Sequence, residues 1–509
     1  MLAVRLAELE RCRENYWLRY PKTSPIRLRW RALAVRHSFH VLPGESILEI
    51  GAGSGLWTGH VTRVLRGENP ITMAVFNDAL ASRAAAKQIP NTRVVRVDDL
   101  EADLPAGSFD YVIGTAILCH DRYAENLRAI HRLLKPGGQI FFFEANFWNP
   151  QVFVKSILPP VRRWAGDASC QSGMRRFKLM HAASQQGFTE IQVIPYDIVH
   201  PLTPAPVIET LQSVAFLLEH APAVQSVCGS LYIWAKKPGD EQARRPAVNF
   251  ATNPELFDST SVVVPCRNEE MNVARLARAL LAMYGGYIRE ILIVDDNSTD
   301  GTARVTRELA RTEPRVKLLE RRPPGGVGRA LAEGYAAATG RYILTMDSDF
   351  ALIVPELRDM FQAIGEGADG AIGSRFSHES VLINYPFTKI LCNRAFHLIM
   401  NLLLGTGMRD VSNNLKLYRA EILKNLRIEE DHFAANVETG LKPVLAGWDI
   451  REVPISWINR TVDMGKSSFE IAGVAPDYAA ALARIVRQAW KAKRANALAA
   501  GGAEARPHA

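Results

Sequence analysis

Asp347 and Asp349 are spaced one residue apart after the apolar run YILTM. Two carboxylates so placed at a strand end suit a hard divalent cation that also binds phosphate oxygens, and a diphosphate leaving group needs such neutralisation. A second acidic pair, Asp295 and Asp296, follows the apolar run ILIV, and Glu269 follows SVVVPCRN. In the first half of the chain, Gly51, Gly53 and Gly55 alternate behind SILEI, with Glu49 just before them. Glycines at that spacing let a backbone turn sharply and approach a ligand closely.

The elements needed to hold these residues alternate. SILEIGAGSGLWTGHVTRVL reads as strand, glycine turn and helix. ITMAVFND and VVRVDDL read as strands ending in polar or acidic residues. SFDYVIGTAILCH is followed by NLRAIHRLLKPGGQIFFFEANF, a helix, a Pro-Gly-Gly turn at 136–138 and a further strand. SVVVPCRNEEMNVARLARALL and REILIVDDNSTDGTARVTRELA are two strand–helix units, and RPPGGVGRALAEGYAAATGRYILTMDSDF gives a turn, a helix and a strand. Ligands of open α/β sheets sit at the carboxyl ends of the strands, where the glycines and acids lie.

Residues 40–150, in that order of motifs, resemble class I S-adenosylmethionine-dependent methyltransferases. The resemblance implies that Gly51, Gly53 and Gly55 lie along the methionine and ribose of S-adenosyl-L-methionine, with Glu49 as the family's acidic residue. It implies that Asn77 or Asp78 binds the ribose hydroxyls and that Asp99 and Leu100 flank the adenine. The second strand usually ends in a carboxylate, whereas here Asn77 stands at that point. His120 and Asp121 are placed where a general base acts, although a packed histidine is the commoner outcome. Residues 150–237 are expected to cap the methyl acceptor.

Residues 260–470 resemble family-two glycosyltransferases of GT-A fold, within them the dolichol-phosphate mannose synthase-like branch. GSRF at 373–376, RDVSNNLKLYR at 409–419 and EVPISWINRTVDMGKSSF at 452–469 follow that branch. It implies that Pro265, Glu269 and Asp295 or Asp296 hold the nucleotide of a nucleotide-sugar donor. Asp347 and Asp349 would serve a divalent metal (Mg or Mn) and the diphosphate, and Arg375 and Arg460 would grip phosphates. The branch transfers a sugar to a polyprenyl phosphate with inversion. A phosphate acceptor is already anionic and needs no strong base, whereas a hydroxyl acceptor requires one. Asp410 and Glu438 are the candidates for that base. Two positions depart from the branch. Arg267 replaces the tyrosine of its PxYNE motif, and Gly465-Lys466-Ser467-Ser468 puts serine where a GxSK lysine belongs.

The whole chain is therefore read as α/β in two domains, a Rossmann-like methyltransferase domain and a GT-A glycosyltransferase domain. The boundaries are 1–238, a linker at 239–258, 259–478, a basic amphipathic helix at 479–495 and a disordered tail at 496–509. A length of 509 residues exceeds one core. The six cysteines lie apart with no CxxC, against zinc and against a secreted disulfide framework. With no signal peptide, the expected location is cytoplasmic, peripheral on the inner face of the membrane. The net charge is +8, with basic residues gathered in the first forty positions and near the C-terminus. That points to an anionic surface, a membrane rather than nucleic acid, since no nucleic-acid motif is present. The apolar stretch 387–408 and the helical face carrying Trp490 fit a lipid-linked acceptor, or alternatively core packing. The function expected is a bifunctional transferase. The alternative is a glycosyltransferase with a saccharide acceptor and a non-catalytic scaffold domain that binds the methyl cofactor.

Overall fold

The computed structural model describes residues 2–118, 120, 122–158, 173–204, 206–208, 217–239, 248–377, 379–383, 385–458 and 471–504. Arg460, Asp121 and the 465–468 segment lie outside them. The chain divides into two compact units, Met1–Pro246 and Ala247–Ala509.

The first unit is built on β1 (Ile47–Ile50), β2 (Ile71–Val75), β3 (Thr92–Arg96), β4 (Phe109–Thr115), β5 (Leu134–Ala145), β6 (Thr189–Tyr196) and β7 (Ser230–Lys236). They form one sheet in the order β3-β2-β1-β4-β5-β7-β6. The first five run parallel, and β7 is antiparallel to both its neighbours. The central strands are apolar on both faces, as helices on both sides require. Leu48, Ile50, Val112, Ile140 and Phe142 pack on one side, and Ile47, Tyr111, Ile113, Phe141 and Phe143 on the other. Two expectations change here. The Pro-Gly-Gly run is no turn between elements, because β5 starts at Leu134 and carries it as a bulge. Phe109 faces Leu134, and Tyr111 already faces Gln139. Residues 189–196 and 230–236 are sheet strands, so only part of 150–237 is left to cap a site.

Four helices of this unit matter below: α1 (Leu2–Arg19), α2 (Ser24–Phe39), α3 (Leu56–Val64) and α4 (Asp78–Ala86). Leu6 and Leu9 of α1 join one core, and Trp17 joins the other.

The second unit has β8 (Thr260–Cys266), β9 (Ile288–Asp295), β10 (Val316–Glu320), β11 (Tyr342–Thr345), β12 (Gly370–Ser374), β13 (Leu382–Ile383), β14 (Lys416–Arg419), β15 (Ile450–Pro454) and β16 (Trp457–Ile458). Its main sheet has the order β10-β9-β8-β11-β14-β12-β15, and β13 pairs with β16 apart from it. Residues 248–258, placed in the linker by composition, pack on this unit. Phe250 is buried against Tyr284, and the Thr252 and Asn253 N–H groups donate to the Tyr287 hydroxyl.

The last helix runs Ile471–Glu504, longer than the basic pattern suggested and through part of the presumed tail. Most of its apolar face is turned inward. Tyr478, Leu482, Ile485 and Val486 pack into the unit's own core with Met400 and Val411. Burying four such side chains is worth several kcal/mol, which outweighs a lipid contact for the same face.

Candidate active sites

In the second unit the parallel pairing of β8, β9 and β11 brings three strand ends together. Cys266 is level with Asp295, and Thr345 with Val263, so the Asp347–Asp349 turn leaves the sheet beside β8. The Cys266 thiol records the crowding. Burial pushes it well up, and the negative charges of Glu269, Asp295 and Asp347 add to that. Acids from three segments thus share one edge, where a bound cation would relieve their mutual repulsion. Asp347 and Asp349 are half-buried. Asp347 accepts from the Asn414 amide at 2.6 Å.

The acidic pair of β9 divides its work. Asp295 accepts only a local bond that is described, from the Ser298 N–H at 3.1 Å. Asp296 is tied to the Arg321 guanidinium and to the Gly326 N–H, which occupies both its oxygens in shaping the turn before Val327. Pro265 sits on β8 opposite Val294. Glu269 accepts from Asn272, and its N–H donates to Thr302 Oγ1.

Arg375 is paired with a carboxylate. Its Nε and Nη2 donate to the two oxygens of Asp410 at 2.7 and 2.8 Å, and its N–H donates to Oδ2 at 3.0 Å. Trp457 and Phe376 lie against the guanidinium. Asp410 is fully buried. Burial alone would raise its carboxyl, but Arg375 holds it below the ordinary range. A carboxylate so held is a poor base. Glu438 is equally committed: Oε2 accepts the Glu429 and Glu430 N–H groups at 2.8 and 2.9 Å, and Oε1 pairs with Lys442. Buried Lys416, which donates to Asn436 O and Thr439 Oγ1, was missed from sequence. Burial pulls its ammonium down to about 7, against the fields of Asp410 and Asp347.

In the first unit the glycine turn follows β1, and Gly51, Gly53 and Gly55 all take left-handed φ, at 66°, 59° and 75°. Glu49 is buried and accepts from Thr58 Oγ1 at 2.7 Å. The expected ribose and adenine contacts are otherwise engaged. Asn77 caps α4 by accepting from the Leu80 N–H, Asp78 pairs with Arg96 in the open, and Asp99 caps the next helical turn. Leu100 is buried in the core. His120 is the packed histidine: Nδ1 accepts from the Arg122 N–H, and Nε2 meets the Asn126 amide.

What sequence reasoning missed is α1. Glu10 accepts from the N–H groups of Gly53, Phe76 and Asn77. Arg13 donates to Thr115 O and Gly51 O. Glu14 accepts from the Ser54 N–H and hydroxyl. The signal was the helical spacing of 10, 13 and 14, which shares a face with Leu6, Leu9 and Trp17. The basic N-terminal run is therefore not all surface, because Arg27 and Arg31 also turn inward to clasp buried Asp197.

Beside Arg13 and the end of β4 opens a cavity of about 820 Å³, walled by Tyr16, Trp17, Arg27, Phe143, Glu144 and Ser230 among others. Glu144 Oε1 accepts the Ile117 and Leu118 N–H groups, while Oε2 is buried with no hydrogen bond. Burial pushes Glu49 and Glu144 each up to about 7. A folded value above the unfolded one of 4.5 means stability that is full below pH 4.5 and is lost as pH rises through about 7. Each ionisation costs up to roughly 3 kcal/mol. Glu144→Gln is thus expected to raise the thermal midpoint of the first unit at pH 8 and to change it little at pH 5, as read by calorimetry. An equal shift at both pH values would contradict the assignment.

Residues 26–193 match the family model for a methyltransferase domain, and residues 261–427 match that for glycosyl transferase family 2. A polyprenol monophosphomannose synthase of Mycolicibacterium smegmatis is 29% identical over 220 residues, 41% of this chain and 81% of that protein. An undecaprenyl-phosphate mannosyltransferase of Micrococcus luteus is 29% identical over 192 residues, 36% of this chain and 79% of that protein. A solved Thermotoga maritima methyltransferase, described as a possible histamine N-methyltransferase, aligns at 15% identity and TM-score 0.33, over 47% of this chain and all of its own.

Proposed function

We propose that this chain, a methyltransferase domain joined to a family 2 glycosyltransferase domain, transfers a sugar from a nucleotide-sugar to a polyprenyl phosphate. The observation that carries the reading is the state of Asp410 and Glu438. Of the two carboxylates considered as bases, Asp410 has both oxygens bonded to Arg375, and Glu438 is buried with Oε2 accepting two N–H groups and Oε1 beside the Lys442 ammonium without a hydrogen bond, so an acceptor that needs no base fits the site best. A phosphate is such an acceptor. The names of the two mannosyl-transferring relatives make mannose the first sugar to test.

In this mechanism Glu269 and Asp295 orient the nucleotide at the β8 and β9 ends, and Asp347 with Asp349 faces the diphosphate. The acceptor phosphate oxygen attacks the anomeric carbon from the side opposite the leaving diphosphate, which inverts the centre. The donor set fits a divalent ion, since the two carboxylates are hard, close in sequence and backed by further acids. Asp347 and Asp349 would be the residues to hold it, although among the described residues no group of three or more His, Cys, Asp or Glu could hold a metal by itself. A Mg or Mn ion held there supplies neutralisation of the leaving charge. A thermal-shift panel of UDP, GDP and CMP sugars with and without manganese tests the donor site. Stabilisation by one nucleotide class is expected, about 2.7 kcal/mol at a hundredfold excess over its Kd. A folded sample that responds to none of them contradicts the reading.

The acceptor's lipid needs a membrane face. Leu391, Leu398, Ile399 and Leu402 on the helix Phe387–Leu404 are exposed, with Leu402 at 77%. Trp490 is exposed too, and its Nε1 reaches Leu403 O. Arg487 and Lys491 flank it. An apolar strip with an amphipathic tryptophan and basic neighbours suits an anionic leaflet, and no helix among the described residues is long and apolar enough to cross one. We expect the protein to float with phosphatidylglycerol-containing vesicles and Leu398→Glu/Leu402→Glu to lose roughly tenfold of that binding. Equal flotation of the two would remove this face from the account.

For the first unit the proposal is transfer of a methyl group from S-adenosylmethionine to an acceptor in the cavity beside Glu144. Glu144 Oε2 is placed to accept a proton from an O–H or N–H nucleophile there. The carboxylates and guanidinium that fill the glycine turn favour a second reading for this unit alone, a scaffold that does not turn over. Release of labelled methyl product decides between them.

A further inference from the structure

The glycines of the first unit clear a space, and that space is filled by the chain itself. A Cβ built on Gly53 would stand 2.6 Å from Glu14 Oε2 and 3.3 Å from Arg13 Nη2. A Cβ on Gly51 would stand 2.5 Å from Ile117 Cδ1 and 3.4 Å from Arg13 Nη1. The space against Gly53 is therefore taken by α1 side chains, and that against Gly51 is shared by Arg13 and Ile117.

Their charges are arranged in a particular way. The carbonyls of Gly51 and Thr115, at the ends of β1 and β4, receive a cation from Arg13. The N–H groups of Gly53, Ser54, Phe76 and Asn77, from the turn and the end of β2, are given to the carboxylates of Glu10 and Glu14. Lys87 adds a bond to the Ser54 hydroxyl at 3.0 Å. The peptide groups of this edge thus call for a cation beside one carbonyl pair and for anions or hydroxyls beside the amides. A nucleoside that carries an amino acid has that pattern, with its ammonium on one side and its carboxylate and ribose hydroxyls on the other.

We propose that α1 is a displaceable stopper in this cradle, and that S-adenosylmethionine or its demethylated product enters only when the helix lifts. This rests on the reading of the cradle as the methyl-cofactor site. The grip of α1 on the turn is made by side chains rather than by strand pairing, while Leu6, Leu9 and Trp17 tie the helix to the unit's cores and must repack as it lifts. Glu10 also sits where burial raises its carboxyl, so its charge is held in the cradle against a desolvation cost. A site whose open form is a minor population binds with an affinity reduced by that fraction. Removing the stopper's side chains therefore strengthens binding.

Isothermal titration of S-adenosylhomocysteine into the full chain and into Arg13→Ala/Glu14→Ala tests this. The account expects at least about tenfold tighter binding by the double variant, a fraction recovered by opening the cradle. Glu14→Gln, which keeps the shape and the helix packing, should fall between the two and guards against a folding defect. Hydrogen exchange supplies a second readout. On ligand binding to the wild-type chain, α1 amides should exchange faster and those of 51–55 slower. Weaker or equal binding by the double variant, or greater protection of α1 in the complex, overturns the stopper while leaving the cofactor reading in place. No binding by any of the folded proteins overturns the cofactor reading and the stopper with it.

Discussion

Asp349→Ala should leave the second unit folded and lower sugar transfer roughly 10²–10³-fold, the usual cost of removing one group that stabilises developing charge. The side chain is half-buried at the turn after β11 and belongs to no core cluster, so its loss costs little stability. In the proposed mechanism its contribution is to the diphosphate, whose charge grows as the glycosidic bond breaks. The effect should fall on kcat more than on KM, because the charge is larger in the transition state than in the bound donor. Asp296→Ala is the contrasting case. That carboxylate holds Arg321 and the Gly326 N–H, so its removal should lower stability along with activity. Steady-state kinetics with denaturant unfolding of each variant separates the two. Asp349→Ala retaining more than about a tenth of the wild-type rate would contradict the assignment.

The second large effect is on stability. Asp410→Leu is expected to cost roughly 3–5 kcal/mol, since it strands a buried guanidinium. Arg375 is only 11% exposed at its side chain, and Asp410 is not exposed at all. Arg375→Met would strand the carboxylate in the same way. The double replacement Arg375→Met/Asp410→Leu should recover much of the loss, because no charge is then left alone. Urea unfolding of the four proteins measures the coupling directly, and additive single losses would contradict a tight buried pair. His397 is buried too, its Nε2 accepting from the N–H of Val411, the residue after Asp410.

How much of this was legible in the sequence depended on how local the signal was. The two α/β units follow from alternating strands and helices, and the strand-end acids and the glycine turn are contiguous motifs. Asp295, Asp347 and Glu269 converge because parallel pairing puts strand ends side by side, which the strand order already implied. The partners of those motifs were not legible. Arg375 finds Asp410 across 35 residues, and Glu10 finds Gly53 across 43. No periodicity reports such meetings. Charge in the N-terminal run argued for an anionic surface, yet Arg13, Arg27 and Arg31 are buried because carbonyls and Asp197 await them. In the last helix the amphipathic pattern was correct, but it could not tell a lipid from the unit's own core. The exposed apolar strip lies instead on the helix Phe387–Leu404, whose burial on one side only is set by tertiary packing.

The most direct test of the central claim is transfer itself. The full chain would be incubated with undecaprenyl phosphate and labelled GDP- or UDP-hexoses, and the label would be followed into organic solvent. Lipid-extractable label is expected from one donor class, dependent on the polyprenyl phosphate and lost in Asp349→Ala. Label that stays in the aqueous phase on a saccharide acceptor, with none in the lipid, would contradict it.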